Sequence, residues 1–232
     1  MPPSTQKNTD TKKLENLKTS RREQQVFKTR NALCAATIRC LDKYGYAKTS
    51  TSRITQTAGV SRGALTHHFP SKEDLIVETT NKILRPAANL PKKPAPNNGL
   101  SAEQYELSIV KTELRRVWEQ VANTQEARAL LEILIAFRTD AKLKARIKPD
   151  LVQWNMRMQR SILENYTSAD GDDKRLDRIW QIARVFYRGL ITHDAFVEDK
   201  AALDDMVDEF VNMLAPLMQF RRPENQTGAK LK

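Results

Sequence analysis

The sequence predicts an all-α protein, and three observations carry that prediction. Segment after segment places its apolar residues three and four apart, and no segment alternates apolar and polar residues as a half-buried strand does. Ser, Thr or Asp stands ahead of most of these segments, where its side-chain oxygen can accept from the free N–H groups of a first helical turn. The breakers fall between segments, most densely in Pro86 to Gly99, which has four prolines in fourteen residues. At 232 residues and 40% hydrophobic content, the chain can bury one substantial core or two small ones.

Residues 1–19 carry Lys7, Lys12, Lys13 and Lys18 among polar residues and read as a disordered basic arm. Ser20-Arg21-Arg22-Glu23 has the spacing of a capping box and predicts the start of a long helix. Its stripe is Val26, Leu33, Ile38, Leu41 and Tyr44, and Gly45 stops it. Ser50 or Thr51 caps a short helix anchored by Ile54. Gly59 supplies the positive φ that ends it, and Ser61 caps another short helix from Arg62 to about His68, with Leu65 and Phe69 on one face. Ser71-Lys72-Glu73-Asp74 is a second capping box, opening a helix that runs to Arg85. Residues 86–100 read as a linker or loop.

Helical periodicity resumes in Glu103 to Val121, with Leu107, Val110, Leu114, Val117 and Trp118. Ala127 to Phe137 is apolar nearly all round, as a buried helix is. Asp150 caps a segment bearing Leu151, Trp154, Met158 and Ile162. Two long helices follow, Asp173 to about Val197 and Ala201 to about Phe220. The first has two apolar faces, which need two surfaces to bury them. Residues 101–222 form one helical unit in this reading, and 223–232 a flexible tail.

Two short helices joined by a glycine-containing turn make a helix-turn-helix, whose second helix enters the major groove of DNA. The charge distribution agrees. Residues 1–85 hold 16 Lys/Arg against 7 Asp/Glu, whereas residues 86–232 are nearly balanced at 23 and 21. A basic surplus confined to one small segment suits a polyanion partner. Within that segment Gly45-Tyr46, Thr49-Ser50, Ile54-Thr55, Ala58-Gly59-Val60-Ser61, Gly63, Leu65, His68-Phe69, Ser71-Lys72-Glu73 and Leu75 match a pattern of wider scope than a bare helix-turn-helix. Over roughly residues 22–85 the chain resembles the TetR family of bacterial transcriptional regulators. Thr66 departs from the pattern, standing where the family usually has a Tyr against the DNA backbone.

Base contacts are expected from Arg62, Thr66 and His67, with Arg62 best suited to a bidentate contact to guanine and Gly63 letting the backbone approach the duplex. Thr51, Ser52, Arg53, His68 and Lys72, with the helix N-terminus at Ser61, are better placed for phosphate. The resemblance implies a homodimeric repressor of a two-fold double-stranded DNA operator, with the last two helices of each copy joined in a four-helix bundle. Phe186, Gly189, Phe196, Phe210 and Leu214 are the expected interface residues. It also implies an effector pocket, for which Trp118, Phe137, Trp154, Met158, Trp180 and Tyr187 are suitable linings. Arg138, Arg184 and Arg188 suit an anionic effector if they face inward. The alternative is a DNA-binding protein of the same fold controlled by a partner.

Other classes lack residues to support them. Cys34 and Cys40 lie on different faces of one helix, and His67-His68 diverge by about 100° on theirs, so no metal site is expected. Nucleophile, phosphate-loop and cofactor signatures are absent, so neither an enzyme nor a cofactor is predicted. With no apolar run of membrane length and no apolar leader, the expected location is cytoplasmic, without a membrane partner.

Overall fold

The computed structural model describes residues 6–85 and 99–221. Most of the linker and the whole of the 223–232 tail lie outside the described residues. The order is α1 (Gln6–Lys48), α2 (Thr51–Ala58), α3 (Arg62–His68), α4 (Lys72–Leu84), α5 (Ala102–Val117), α6 (Gln125–Phe137), α7 (Ala141–Asn165), α8 (Asp173–His193) and α9 (Lys200–Leu214). The all-α expectation holds, with one addition. Tyr166–Ser168 (β1) pairs antiparallel with Met218–Phe220 (β2), Tyr166 opposite Phe220. Strands of three residues are too short to show alternation in a sequence.

Three element boundaries differ most from the sequence expectation. Helix α1 begins at Gln6 rather than Ser20, so most of the segment read as a disordered arm is helical and the Ser20–Glu23 box starts nothing. No Gly or Pro occurs in residues 4–44, so nothing local halts the helix there. Helix α7 begins at Ala141, capped by Asp140, and runs through Pro149. A proline removes one backbone hydrogen bond, but here packing on both sides carries the helix past it. Helix α9 ends at Leu214 because Pro216 turns the chain into a short 3-10 segment.

The caps behave as local chemistry dictates. Ser50, Ser61, Ser71, Ser101 and Thr124 each accept from the backbone N–H three residues on. The Ser71 and Asp74 side chains form a reciprocal capping box. Gly59 takes φ 67 and ψ 31 at the end of α2, closing the turn as predicted.

Three apolar clusters hold the chain together. One, inside the first four helices, contains Leu33, Cys34, Cys40, Ile54, Leu65, Phe69 and Leu75. The largest fills the space between α5, α7, α8 and α9. Between them lies a cluster that joins Leu41 of α1 and Ile76 and Leu84 of α4 to Leu130 and Ile133 of α6 and Leu143, Ile147 and Leu151 of α7. The N-terminal helices therefore share a buried core with the C-terminal ones.

Candidate nucleic-acid interface and effector site

The helix-turn-helix presents one free surface. Leu65 and Phe69 turn α3 inward, and Ile54 does the same for α2. Arg30 of α1 pins the far end of α3: its guanidinium stacks 4.5 Å over the Phe69 ring and donates to the His68 carbonyl at 3.2 Å. What remains outward on α3 and its cap is Ser61, Arg62, Gly63, Thr66 and His67, all exposed. A Cβ on Gly63 would meet only the Ser61 hydroxyl, at 3.9 Å, so no internal packing requires glycine there.

Among the proposed contacts, side chains already held by the protein separate from those that are free. Thr66 Oγ1 donates within its own turn, to the carbonyls of Arg62 and Gly63. Arg53 stacks 4.5 Å from the Tyr44 ring and donates to the Lys48 carbonyl at 3.3 Å. Lys72 is half-buried: its ammonium lies 4.3 Å from the Tyr46 ring and donates to the Tyr46 carbonyl at 3.1 Å, and burial lowers its pKa. His67 and His68 pack edge to face, and partial burial, His67 and Arg30 lower the pKa of His68. His68 is therefore mostly neutral at pH 7 and a weak phosphate ligand there. Thr51 and Ser52 stand at the start of α2 beside Arg53.

Tyr44 is a member of this surface that helical periodicity does not reveal. It belongs to the apolar stripe of α1, yet it is 37% exposed and carries both Lys43 and Arg53 over its ring. The aromatic ring keeps two cations close together, and among the described residues no carboxylate forms an ion pair with either. The arrangement depends on the tertiary approach of α2 to the end of α1.

Behind the surface, polar contacts tie α1 and α4 to α6 and α7. Arg128 and Gln125 of α6 both hold Asp42, the former at 2.6 Å. Glu132 accepts from the Tyr46 backbone N–H at 3.0 Å, and Arg146 of α7 pairs with Asp74 at 2.6 Å. Burial alone would raise the pKa of Asp42, but hydrogen bonds from Arg128 and Gln125 outweigh it and lower it. Hydrogen bonds from Ser71 and Arg146 lower that of Asp74. A carboxylate with a depressed pKa in the fold contributes stability above its unfolded pKa of about 4, and loses it as pH falls toward the folded value. The melting temperature should accordingly be flat from about pH 7 to 5.5 and fall below about pH 4.5. Arg128→Ala should shrink that acid-dependent fall, which a series of calorimetric scans would show; an unchanged slope would rule out Asp42 as a contributor.

The effector residues divide in the same way. Trp118, Met158 and Tyr187 are buried in the large core, where the Tyr187 hydroxyl donates to the Leu114 carbonyl at 2.8 Å. Trp154 packs partly buried against both the large core and the middle cluster, whereas Phe137 packs against the middle cluster alone and is set apart from the other five. Trp180 does line a cavity, but one of about 20 Å³, room for about one water, with Val110, Glu113, Leu114, Val117, Ile162, Tyr166 and Met218. Arg138 is exposed at the end of α6.

The interface residues also need correcting. Phe210 and Leu214 are buried in their own subunit, and Phe186 is stacked on Phe210 at 3.8 Å. Phe196 and Gly189, both expected there, are exposed, and the other outward apolar side chains of α8 and α9 are Ile182, Val185, Met206 and Met213. A helix with two broad apolar faces does not disclose which face its own subunit takes.

No helix among the described residues is long and apolar enough to cross a membrane. No group of three or more His, Cys, Asp or Glu among them is arranged to hold a metal ion.

Residues 33–79 match the family model of bacterial regulatory proteins, tetR family. The chain is 32% identical over 138 residues to an uncharacterized HTH-type transcriptional regulator of Mycobacterium tuberculosis, a match spanning 60% of this chain and 66% of that protein. It is 37% identical over 51 residues, 22% of this chain and 27% of the other, to the HTH-type transcriptional repressor AcnR of Corynebacterium jeikeium. A transcriptional regulator from Rhodococcus sp. Rha1 shares the fold with TM-score 0.55 and 15% identity, over 80% of this chain and 95% of that one. Capped helices, a glycine turn, an unobstructed α3 surface and these matches agree: the chain belongs to the tetR family and is a helix-turn-helix DNA-binding transcriptional regulator.

Proposed function

We propose that the protein is a homodimeric repressor that binds a two-fold operator and is released by a small-molecule effector. In this reading residues 20–85 form the DNA-binding unit and residues 101–222 the unit that dimerises and takes the effector. The observation that carries it is the pairing of two unsatisfied surfaces: the outward side of α3, and the apolar side of α8 and α9. A two-fold arrangement of the second would present two copies of the first to a palindromic site. Repression is supported by the name of the AcnR relative. Release is supported by the core shared among α1, α4, α6 and α7, through which a shift in α6 or α7 would move the DNA-contacting helices.

The test is operator binding across salt concentrations. Log K should fall linearly with log salt, with a slope of several. Arg62→Ala should cost about 1–3 kcal/mol and relax preference at one base pair per half-site. Lys43→Ala should weaken all sequences alike and reduce the slope by about one. Binding without a salt slope, or an Arg62→Ala protein with unchanged base preference, would refute this assignment.

A further inference from the structure

We infer that Tyr44 is the positioning residue of a phosphate clamp, its ring setting Lys43 of α1 and Arg53 of α2 together against one strand of the DNA backbone. This deepens the DNA-binding assignment and rests on it. Tyr44 is the last residue of α1 before Gly45, whose φ of 73 interrupts the helix. Arg53, in the first turn of α2, returns to the same place. Its guanidinium lies 4.5 Å from the centroid of the Tyr44 ring, and the Lys43 ammonium lies 5.2 Å from it. Three polar contacts keep α2 seated on α1 and so preserve the meeting. Arg53 donates to the Lys48 carbonyl at 3.3 Å, Arg39 donates to the Thr57 carbonyl at 3.2 Å, and the Cys40 thiol and Thr57 hydroxyl share a hydrogen bond of 3.4 Å.

The cluster has the chemistry of an anion site. Lys43, Tyr44, Lys48 and Arg53 are all exposed, and among the described residues none of the three cations forms an ion pair. The neighbouring carboxylate, Asp42, is taken up by Arg128 and Gln125 of α6. The two charges on the ring are at most about 10 Å apart, a distance over which exposed charges still feel one another at about 0.1 M salt. They repel, and the attraction of each to the ring holds them against that repulsion. A negative group set between them turns repulsion into attraction. The closely spaced phosphates of one strand, about 3.4 Å apart along the duplex axis, supply that charge. A free lysine or arginine gives up rotamer freedom on binding, whereas here the ring has already restricted both. Tyr44 thus acts through the two cations. Phosphate is common to every sequence, so the clamp adds affinity without base preference.

The experiment uses the full-length protein and a random-sequence duplex of about 40 base pairs, because phosphate contacts do not depend on sequence. Affinity is measured from about 50 to 200 mM salt, with melting temperature alongside. Lys43→Gln/Arg53→Gln should bind at least about tenfold more weakly at low salt and lower the salt slope by about two per bound subunit. Arg157→Gln/Arg160→Gln removes two exposed charges from α7 and should leave the slope unchanged. Tyr44→Leu should weaken binding at least about threefold, and Tyr44→Phe, which keeps the ring, should recover the parent's affinity to within about twofold. The decisive comparison places Tyr44→Leu in the Lys43→Gln/Arg53→Gln protein, where it should have no further effect. Tyr44→Met repeats that comparison should the leucine protein melt well below the parent. A Tyr44 substitution that costs as much in that background as in the parent overturns the inference, since the ring then acts by itself or through the fold. An equal fall in slope from the α7 pair also overturns it, assigning the effect to net charge. A parent protein that binds no duplex removes the DNA assignment and the clamp together. One that binds with a slope indifferent to Lys43→Gln/Arg53→Gln keeps the assignment and loses the clamp.

Discussion

A carboxylate placed at Val185 is expected to turn the protein into a monomer and to lower operator affinity more than about a hundredfold. Val185 is 68% exposed and Phe196, beyond the C-terminal end of the same helix, is 77% exposed, so neither contributes to the core of its own subunit. A stable interface covers at least about 1,000 Å², and one aspartate near its centre appears twice across a two-fold axis, as a pair of buried like charges. Folding of the subunit should hardly change, since an exposed position accepts a polar residue within about 0.5 kcal/mol. Operator affinity falls because a monomer contacts one half-site and loses the second as an intramolecular event. Val152→Asp is the matched control: Val152 is also exposed, at 45%, but lies on α7. Sedimentation and operator titration of both variants decide the matter. A Val185→Asp protein that remains dimeric at micromolar concentration, or a Val152→Asp protein that dissociates, would place the interface elsewhere.

The second large effect is expected at Gly45. Its backbone sits at φ 73 and ψ 171, a region open in practice only to glycine. An added Cβ would lie 3.0 Å from Oε2 of Glu132, the same oxygen that accepts from the Tyr46 backbone N–H. Gly45→Ala therefore combines backbone strain with displacement of the α6 carboxylate. The strain alone is worth about 1–3 kcal/mol, or roughly 3–10 °C of melting temperature for a domain of this size. The consequence should reach the DNA surface, because Tyr46 holds Lys72 through both its ring and its carbonyl. Glu132→Gln keeps an acceptor oxygen for the Tyr46 N–H and should cost much less. Equal melting temperatures for Gly45→Ala and the parent would show that the turn relaxes without strain and that the link from α6 through Tyr46 is not rigid.

The residues that can be read in sequence are those whose role is decided within a few positions of themselves. Gly59 needs only its own φ, Ser61 only the N–H of Ala64, and the Ser71 cap only the N–H of Asp74. For that reason the caps, the turn and the outward face of α3 are all legible in the sequence. Arg62 and Gly63 belong to this group, being free of any internal task. The start of α1 and the course of α7 are illegible for the complementary reason. A polar segment without breakers gives no stop signal, and Pro149 gives one that packing overrides.

The helix-turn-helix, its caps and its family are thus matters of sequence, because each rests on short-range hydrogen bonding and backbone freedom. Which faces of α8 and α9 turn outward is a matter of packing, since Phe186, Phe210 and Ile182 are equally apolar in a sequence and differ only in what lies against them. Packing likewise brings Glu132 to Tyr46 and Arg128 to Asp42, each across 86 positions of chain. It also leaves the Trp180 indole N–H and the Nε of Arg184 without an acceptor among the described residues. Partners that distant are set by how helices stack, and no local pattern records the stacking.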